Sequence, residues 1–247
     1  MAHEQVAIRT ADGICPTHIL TPAGEGPWPA VIVYMDALGM RPALVDLAKR
    51  LADNGYLAVL PDLFYRSAPY EIPTPTEAFA SGKLMDIIGP LMAACGPDKA
   101  AQDTQYFLEY LDTRNDVQGT QVGAVGFCMG GGMALAAAGT YPDRVAAAAS
   151  YHGGGIASDA PNSPHLHAPK IKAEVYIAGA DDDPMYPPEM AERMEKALND
   201  AGVRNRCEIY EGAMHGWMKP DFPIYHEEAA ERGWREMLAL FARNLKA

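Results

Sequence analysis

Short apolar runs alternate along this chain with segments whose apolar residues recur every three or four positions. The runs fit strands covered on both faces, and the wider spacing is that of an amphipathic helix. Val6–Ile8 and Ile14–Thr21 flank the turn residues Asp12-Gly13 and read as an edge hairpin. Pro22 to Pro29 is a loop by its Pro and Gly content, and Ala30–Tyr34 is an unbroken apolar strand. Residues 42–54 put Leu44, Leu47, Ala48 and Leu51 on one helical stripe closed by Asn54-Gly55. Leu57–Leu60 is another buried strand, stopped by Pro61. The Pro-interrupted stretch 65–97 is less periodic and predicts a loop with one or two short helices over the sheet edge. Beyond it come a helix over 98–113, a strand at Val122–Val125, a helix over 128–140 and a strand at Val145–Ser150. Val175–Ala178, a helix over 187–201, Cys207–Tyr210 and a final helix over about 225–245 complete the series. The alternation predicts an α/β fold, a doubly wound, mostly parallel sheet with helices on both faces. No repeat or interdomain linker interrupts it, so one domain over residues 1–247 is expected.

The segment from Val122 to Ala136 changes the picture from architecture to chemistry. It predicts a strand, a sharp turn and a helix of small residues, with Cys128 inside a G-x-C-x-G pattern of Gly126, Cys128 and Gly130. This is a nucleophile elbow with sulfur in place of the usual serine oxygen. Flanking glycines suit a strained turn because they carry no Cβ to strike neighbouring backbone. The helix N-terminus behind the thiol favours its anionic form. A phosphate-cradling loop would need a different glycine spacing, and a buried structural cysteine is the plainer alternative.

An α/β-hydrolase places nucleophile, acid and histidine in that chain order, each after a strand. Here Val175–Ala178 runs into Gly179-Ala180-Asp181-Asp182-Asp183, and Asp181, directly after the Gly-Ala, is the expected acid. Cys207–Tyr210 leads to His215, the one histidine of seven placed just after the last predicted strand. His152, which also ends a strand, is the second choice. Such a set has a chemical logic. Imidazole moves protons near neutral pH, and the carboxylate fixes its tautomer.

Composition narrows the partners. A net charge of -12 and a pI near 4.9 argue against nucleic acid and anionic membrane surfaces. No basic, apolar leader opens the chain, and no apolar run approaches the ~20 residues of a membrane helix. The four cysteines lie far apart without a CxxC pair, which points to a reduced, cytoplasmic protein. His165 and His167 lack an evident third ligand, and the acidic turn lacks the spacing of a calcium loop, so neither a metal nor a cofactor is expected.

Gly126-Phe-Cys-Met-Gly-Gly131, Pro61-Asp-Leu-Phe-Tyr-Arg66 and Met214-His215-Gly216 together resemble the dienelactone hydrolase (carboxymethylenebutenolidase) family, from about residue 28 onward. The resemblance implies that Asp36 stands where the family has a glutamate that holds the resting thiol, one methylene shorter here. It implies an oxyanion hole from the backbone N–H groups of Met129 and Ala37. It also implies a substrate carboxylate bound by two cations, Arg66 and Lys219, the latter replacing an arginine and unable to form its bidentate fork. The expected activity is hydrolysis of an activated or cyclic, carboxylate-bearing small-molecule ester or lactone by a monomer or small homo-oligomer. A thioesterase or broad carboxylesterase on the same scaffold is the enzymatic alternative. A non-catalytic ligand-binding or redox-sensing protein is the other.

Overall fold

The computed structural model describes residues 1–246, and residue 247 of the expected domain lies outside the described residues. The hairpin at the start is longer than its apolar residues announce. β1 (Ala2–Thr10) and β2 (Gly13–Thr21) pair antiparallel from Ala2↔Thr21 to Thr10↔Gly13. The first half of β1 is exposed, so the backbone ladder rather than burial holds it. β3 (Trp28–Tyr34), α1 (Pro42–Asp53) and β4 (Leu57–Pro61) follow where the apolar runs and the helical stripe placed them. The Pro-interrupted stretch yields two short helices, α2 (Pro75–Ala80) and α3 (Leu84–Ala93). A capping box starts α2, with the Thr74 hydroxyl accepting from the Glu77 N–H while Glu77 accepts from the Thr74 N–H.

The remaining elements are α4 (Pro97–Asp112), β5 (Val117–Phe127), α5 (Met129–Thr140), β6 (Val145–Tyr151), β7 (Glu174–Asp182), α6 (Pro188–Asp200), β8 (Asn205–Met214) and α7 (Glu227–Leu245). The sheet order is β1-β2-β4-β3-β5-β6-β7-β8. Its first two pairings are antiparallel and its other five parallel. The sheet is therefore mixed at one edge and parallel through its centre, with α4 packed on α5 and Arg50 of α1 reaching Glu231 of α7. His165 and His167 lie in a 3₁₀ turn (Pro164–Lys170) packed on α5. No helix among the described residues is long and apolar enough to cross a membrane.

In a parallel sheet the C-terminal strand ends share one side, and loops there converge on a ligand. β5 stops at Phe127, Cys128 adopts φ 54° and ψ -116°, and α5 begins at Met129. Two close approaches make the turn. A Cβ on Gly130 would overlap the Tyr34 carbonyl, and one on Gly126 would overlap the Gly130 carbonyl. In both cases the obstacle is backbone, which cannot swing aside. We therefore expect Gly126→Ala and Gly130→Ala each to lose more than the ~3 kcal/mol that bounds most point substitutions, measured by urea unfolding. Gly89→Ala, within α3 with open space around it and no positive φ, should lose far less.

Candidate active site

Cys128 is a non-glycine residue held at positive φ, a conformation that persists only where its surroundings enforce it. Its N–H donates to the Tyr151 carbonyl at 3.0 Å and shares that proton with His152 Nδ1 at 3.2 Å. His152 is itself fully buried at φ 40°. Burial, reinforced by nearby His215 and Lys219, holds its imidazole well below the usual range, so the ring is neutral and free to accept at Nδ1. His152 is thus a support for the Cys128 backbone.

The side chain of Cys128 meets a different histidine. His215 Nε2 lies 3.1 Å from Sγ, and its Nδ1 lies 2.7 Å from Asp183 Oδ2. Burial alone would lower the imidazole. Hydrogen bonds to Asp183 and Cys128 and their charges outweigh it and raise the value to about 10. The Asp183 carboxylate is fixed in turn, its Oδ1 accepting the Met185 N–H at 2.8 Å. By contrast, burial pushes the thiols of Cys15, Cys95 and Cys207 up to about 12, so they stay protonated at neutral pH.

Sγ and the His215 ring border a small cavity of about 80 Å³. Its other walls are mainly apolar, with Leu38, Leu84, Ile88, Met92 and Phe222 among them.

Residues 15–245 match the model of the dienelactone hydrolase family. The chain belongs to the dienelactone hydrolase family. A Synechocystis protein named "Putative carboxymethylenebutenolidase" is 30% identical over 93% of this chain and 92% of its own length. An Escherichia coli K12 protein of the same name is 28% identical over 91% of this chain and 80% of its own. A crystal structure titled "Putative Dienelactone Hydrolase" from Klebsiella pneumoniae superposes with a TM-score of 0.83 at 26% identity, covering 98% of each chain. The α/β-hydrolase fold and the membership of a hydrolase family follow from these matches.

Within this dienelactone hydrolase relative, four expected site residues fall elsewhere than the sequence suggested. The acid beside His215 is Asp183, not Asp181. β7 does not stop at Gly179-Ala180 but continues to Asp182, with a register shift between Ala180 and Asp182. Asp183 is therefore the first residue past the strand, while exposed Asp181 accepts the N–H of Gly212 at 3.2 Å. Asp36 borders the cavity, yet its oxygens are committed to Arg41 at 2.7 and 2.9 Å and to the Leu38 N–H at 2.9 Å, not to the thiol. Burial would raise that carboxyl, but Lys219 and Arg41 together hold it below its usual range.

Neither expected cation reaches the cavity. Arg66 gives two hydrogen bonds to Asp103, both 2.8 Å, and one of 2.7 Å to Asp12. Lys219 is fully buried behind the elbow, its Nζ 3.6 Å from the Phe127 ring centroid and 3.6 Å from Asp36 Oδ2. Burial lowers its ammonium to about 7, against the pull of Asp36. Ala37 lines the cavity beside Cys128. Met129 opens α5, where first-turn N–H groups lack intrahelical partners. Sequence reasoning missed Arg41, whose only signal was its place five residues after Asp36.

Two predictions follow from these placements. Asp183→Asn should lower kcat by about 10³- to 10⁴-fold, since the amide no longer fixes the imidazole tautomer. Asp181→Asn should stay within a few-fold of wild type, and an ester-hydrolysis assay separates the two.

The second concerns stability and pH. His215, raised from 6.5 to about 10 by folding, stabilises fully below about pH 6.5, and that contribution is lost as pH climbs through about 10. Lys219, lowered from 10.5 to about 7, releases a proton on folding across that window, so stability rises with pH there. Each slope reaches about 1.4 kcal/mol per pH unit, and in wild type they oppose. Lys219→Met removes the rising one. Its Tm relative to wild type should therefore fall between pH 7 and pH 10 in thermal scans.

Proposed function

We propose that this hydrolase cleaves uncharged, activated or cyclic esters by thiol-based acyl transfer through Cys128, His215 and Asp183. The observation that carries this reading is the continuous line from Asp183 through His215 to Sγ, bordering a cavity beside the elbow. Asp183 stabilises an imidazolium at His215, and that ring sits where it steadies negative charge on sulfur. Sulfur attacks the carbonyl carbon, and the N–H groups of Met129 and Ala37 are the donors for the developing oxyanion. The C–O bond to the leaving group breaks, His215 gives that oxygen a proton, and a thioester remains on Cys128. Water then yields a proton to His215 and attacks the thioester. The acid product leaves and the thiolate returns.

Sulfur restricts which esters react. A thiolate leaves more readily than a simple alkoxide, so the first tetrahedral adduct of an alkyl ester tends to revert. An enolate or aryloxide leaving group, as in an enol-lactone or aryl ester, removes that difficulty. The carboxylate expected on the substrate is not part of this proposal. Arg66 is held by internal hydrogen bonds and Lys219 is fully buried away from the cavity, its Nζ 3.6 Å from Asp36 without a hydrogen bond, and an anion in this apolar cavity would lose its hydration without a matching cation. A reduced thiol is required throughout, which fits the cytoplasmic setting expected from the cysteine pattern.

Cys128→Ala and His215→Ala should each lower hydrolysis of an aryl acetate by about 10³-fold or more. Mass spectrometry of quenched wild type should show one acetyl group on Cys128. Full activity in Cys128→Ala would overturn the proposal.

A further inference from the structure

α3 has the sequence of a buried helix but not its burial. Its ten residues carry one charge, Asp86, yet Ile88 alone is buried. A helix that is apolar nearly all round normally packs into a core. Here Met85 is 59% exposed, and its neighbours across the cavity mouth, Phe79 of α2 and Met185 after β7, are 37% and 41% exposed. These three are among only eight large apolar side chains exposed among the described residues, and all three also line the Cys128 cavity. Phe79 packs edge-on against Phe222 with centroids 5.3 Å apart, which makes the mouth and the cavity floor one continuous apolar surface. Contiguous exposed apolar surface of this kind marks a binding site.

Size decides what that surface receives. Pockets that enclose a drug-sized ligand hold roughly 300–1,000 Å³, whereas this cavity offers about 80 Å³. The reacting carbonyl and a few atoms fit inside. Anything longer continues outside, across Phe79, Met85 and Met185.

We infer that the substrate carries an extended, uncharged hydrocarbon chain lying on this collar while its ester carbonyl sits at Cys128. This rests on the thiol-hydrolase reading above and deepens it. The surface is continuous with the catalytic cavity and contains no free cation, so a substrate chain fits it better than an acidic partner does. Two of the three collar residues are methionines, whose flexible thioethers pack against chains of varying length. A lipid surface is the other apolar occupant to test. A net charge of -12 opposes anionic membranes.

The test is a series of p-nitrophenyl esters from acetate to octanoate, assayed below their micelle concentrations with full-length enzyme. We expect kcat/KM to rise about two-fold per methylene up to hexanoate or octanoate, less than complete burial of each methylene would give. Met85→Glu and Met185→Glu should each cut the octanoate-to-acetate ratio at least ten-fold, mainly through KM, while Met85→Leu keeps it. A flat or falling series in an enzyme that hydrolyses acetate overturns this inference and leaves the thiol mechanism standing. So does a preference that survives both glutamates, or one that appears only on micelles or neutral phosphatidylcholine vesicles. Failure to hydrolyse any ester of the series overturns the underlying reading instead.

Discussion

The strained backbone at Cys128 is the fixed point to which the rest of the site is fitted. Positive φ at a non-glycine residue costs of order 1–3 kcal/mol, so neighbours must enforce it. Gly126 and Gly130 permit the chain to fold over itself, and the Tyr151 carbonyl and His152 ring take the Cys128 N–H. The supporting histidine is strained as well, at φ 40°. Both strained residues end central parallel strands, β5 and β6, whose ladders fix them from either side. The sulfur is thereby aimed by the sheet itself, and His215 and Asp183 come to it from two loops. Those loops follow β7 and β8, which lie side by side beyond β6.

Around this point the charges are arranged for burial, not for substrate capture. A buried ion costs several kcal/mol unless it is paired and hydrogen-bonded. Asp36 meets that requirement through Arg41, which reaches it with two nitrogens and Asp221 with a third. The aspartate is one methylene shorter than the family's glutamate, and its carboxylate turns to Arg41 and the Leu38 N–H. Lys219 lies over the Phe127 ring, where its protonated form gains from the π face, but its Nζ has no hydrogen-bond partner and burial lowers it to about 7. The two departures from the family pattern belong to one rearrangement. In this chain both groups lie among internal partners, and the cavity walls are mainly apolar.

What could be read in the sequence follows from the range of the interactions. The elbow was legible because its glycines act on atoms within a few residues, apart from the contact of Gly130 with Tyr34. Strand and helix positions were legible wherever burial dictates them, as in Ala30–Tyr34 and Leu57–Leu60. They were misjudged where pairing dictates them, as in the exposed first half of β1. Asp183 was missed because the irregularity that carries β7 two residues onward depends on β8, where Gly212 sits at φ 72°. Arg66 misled for a similar reason. Its partners lie 37 and 54 residues away, and only the folded chain shows that each of its three nitrogens already donates to a carboxylate.

An apolar front bears on how the proposed pair of Cys128 and His215 would work. In a cavity with mainly apolar walls the Asp183–His215–Cys128 interactions are screened less than they would be at a surface. The same low polarity penalises any substrate that brings its own charge. In the proposed mechanism, electrostatic support for the nucleophile and rejection of carboxylates would therefore have one cause. A cation restored at the mouth would attract carboxylates, but it would also bring water and like charge close to His215. On the proposed reading, the position of Lys219 over the Phe127 ring leaves the surroundings of Cys128 and His215 apolar, which disfavours anionic substrates.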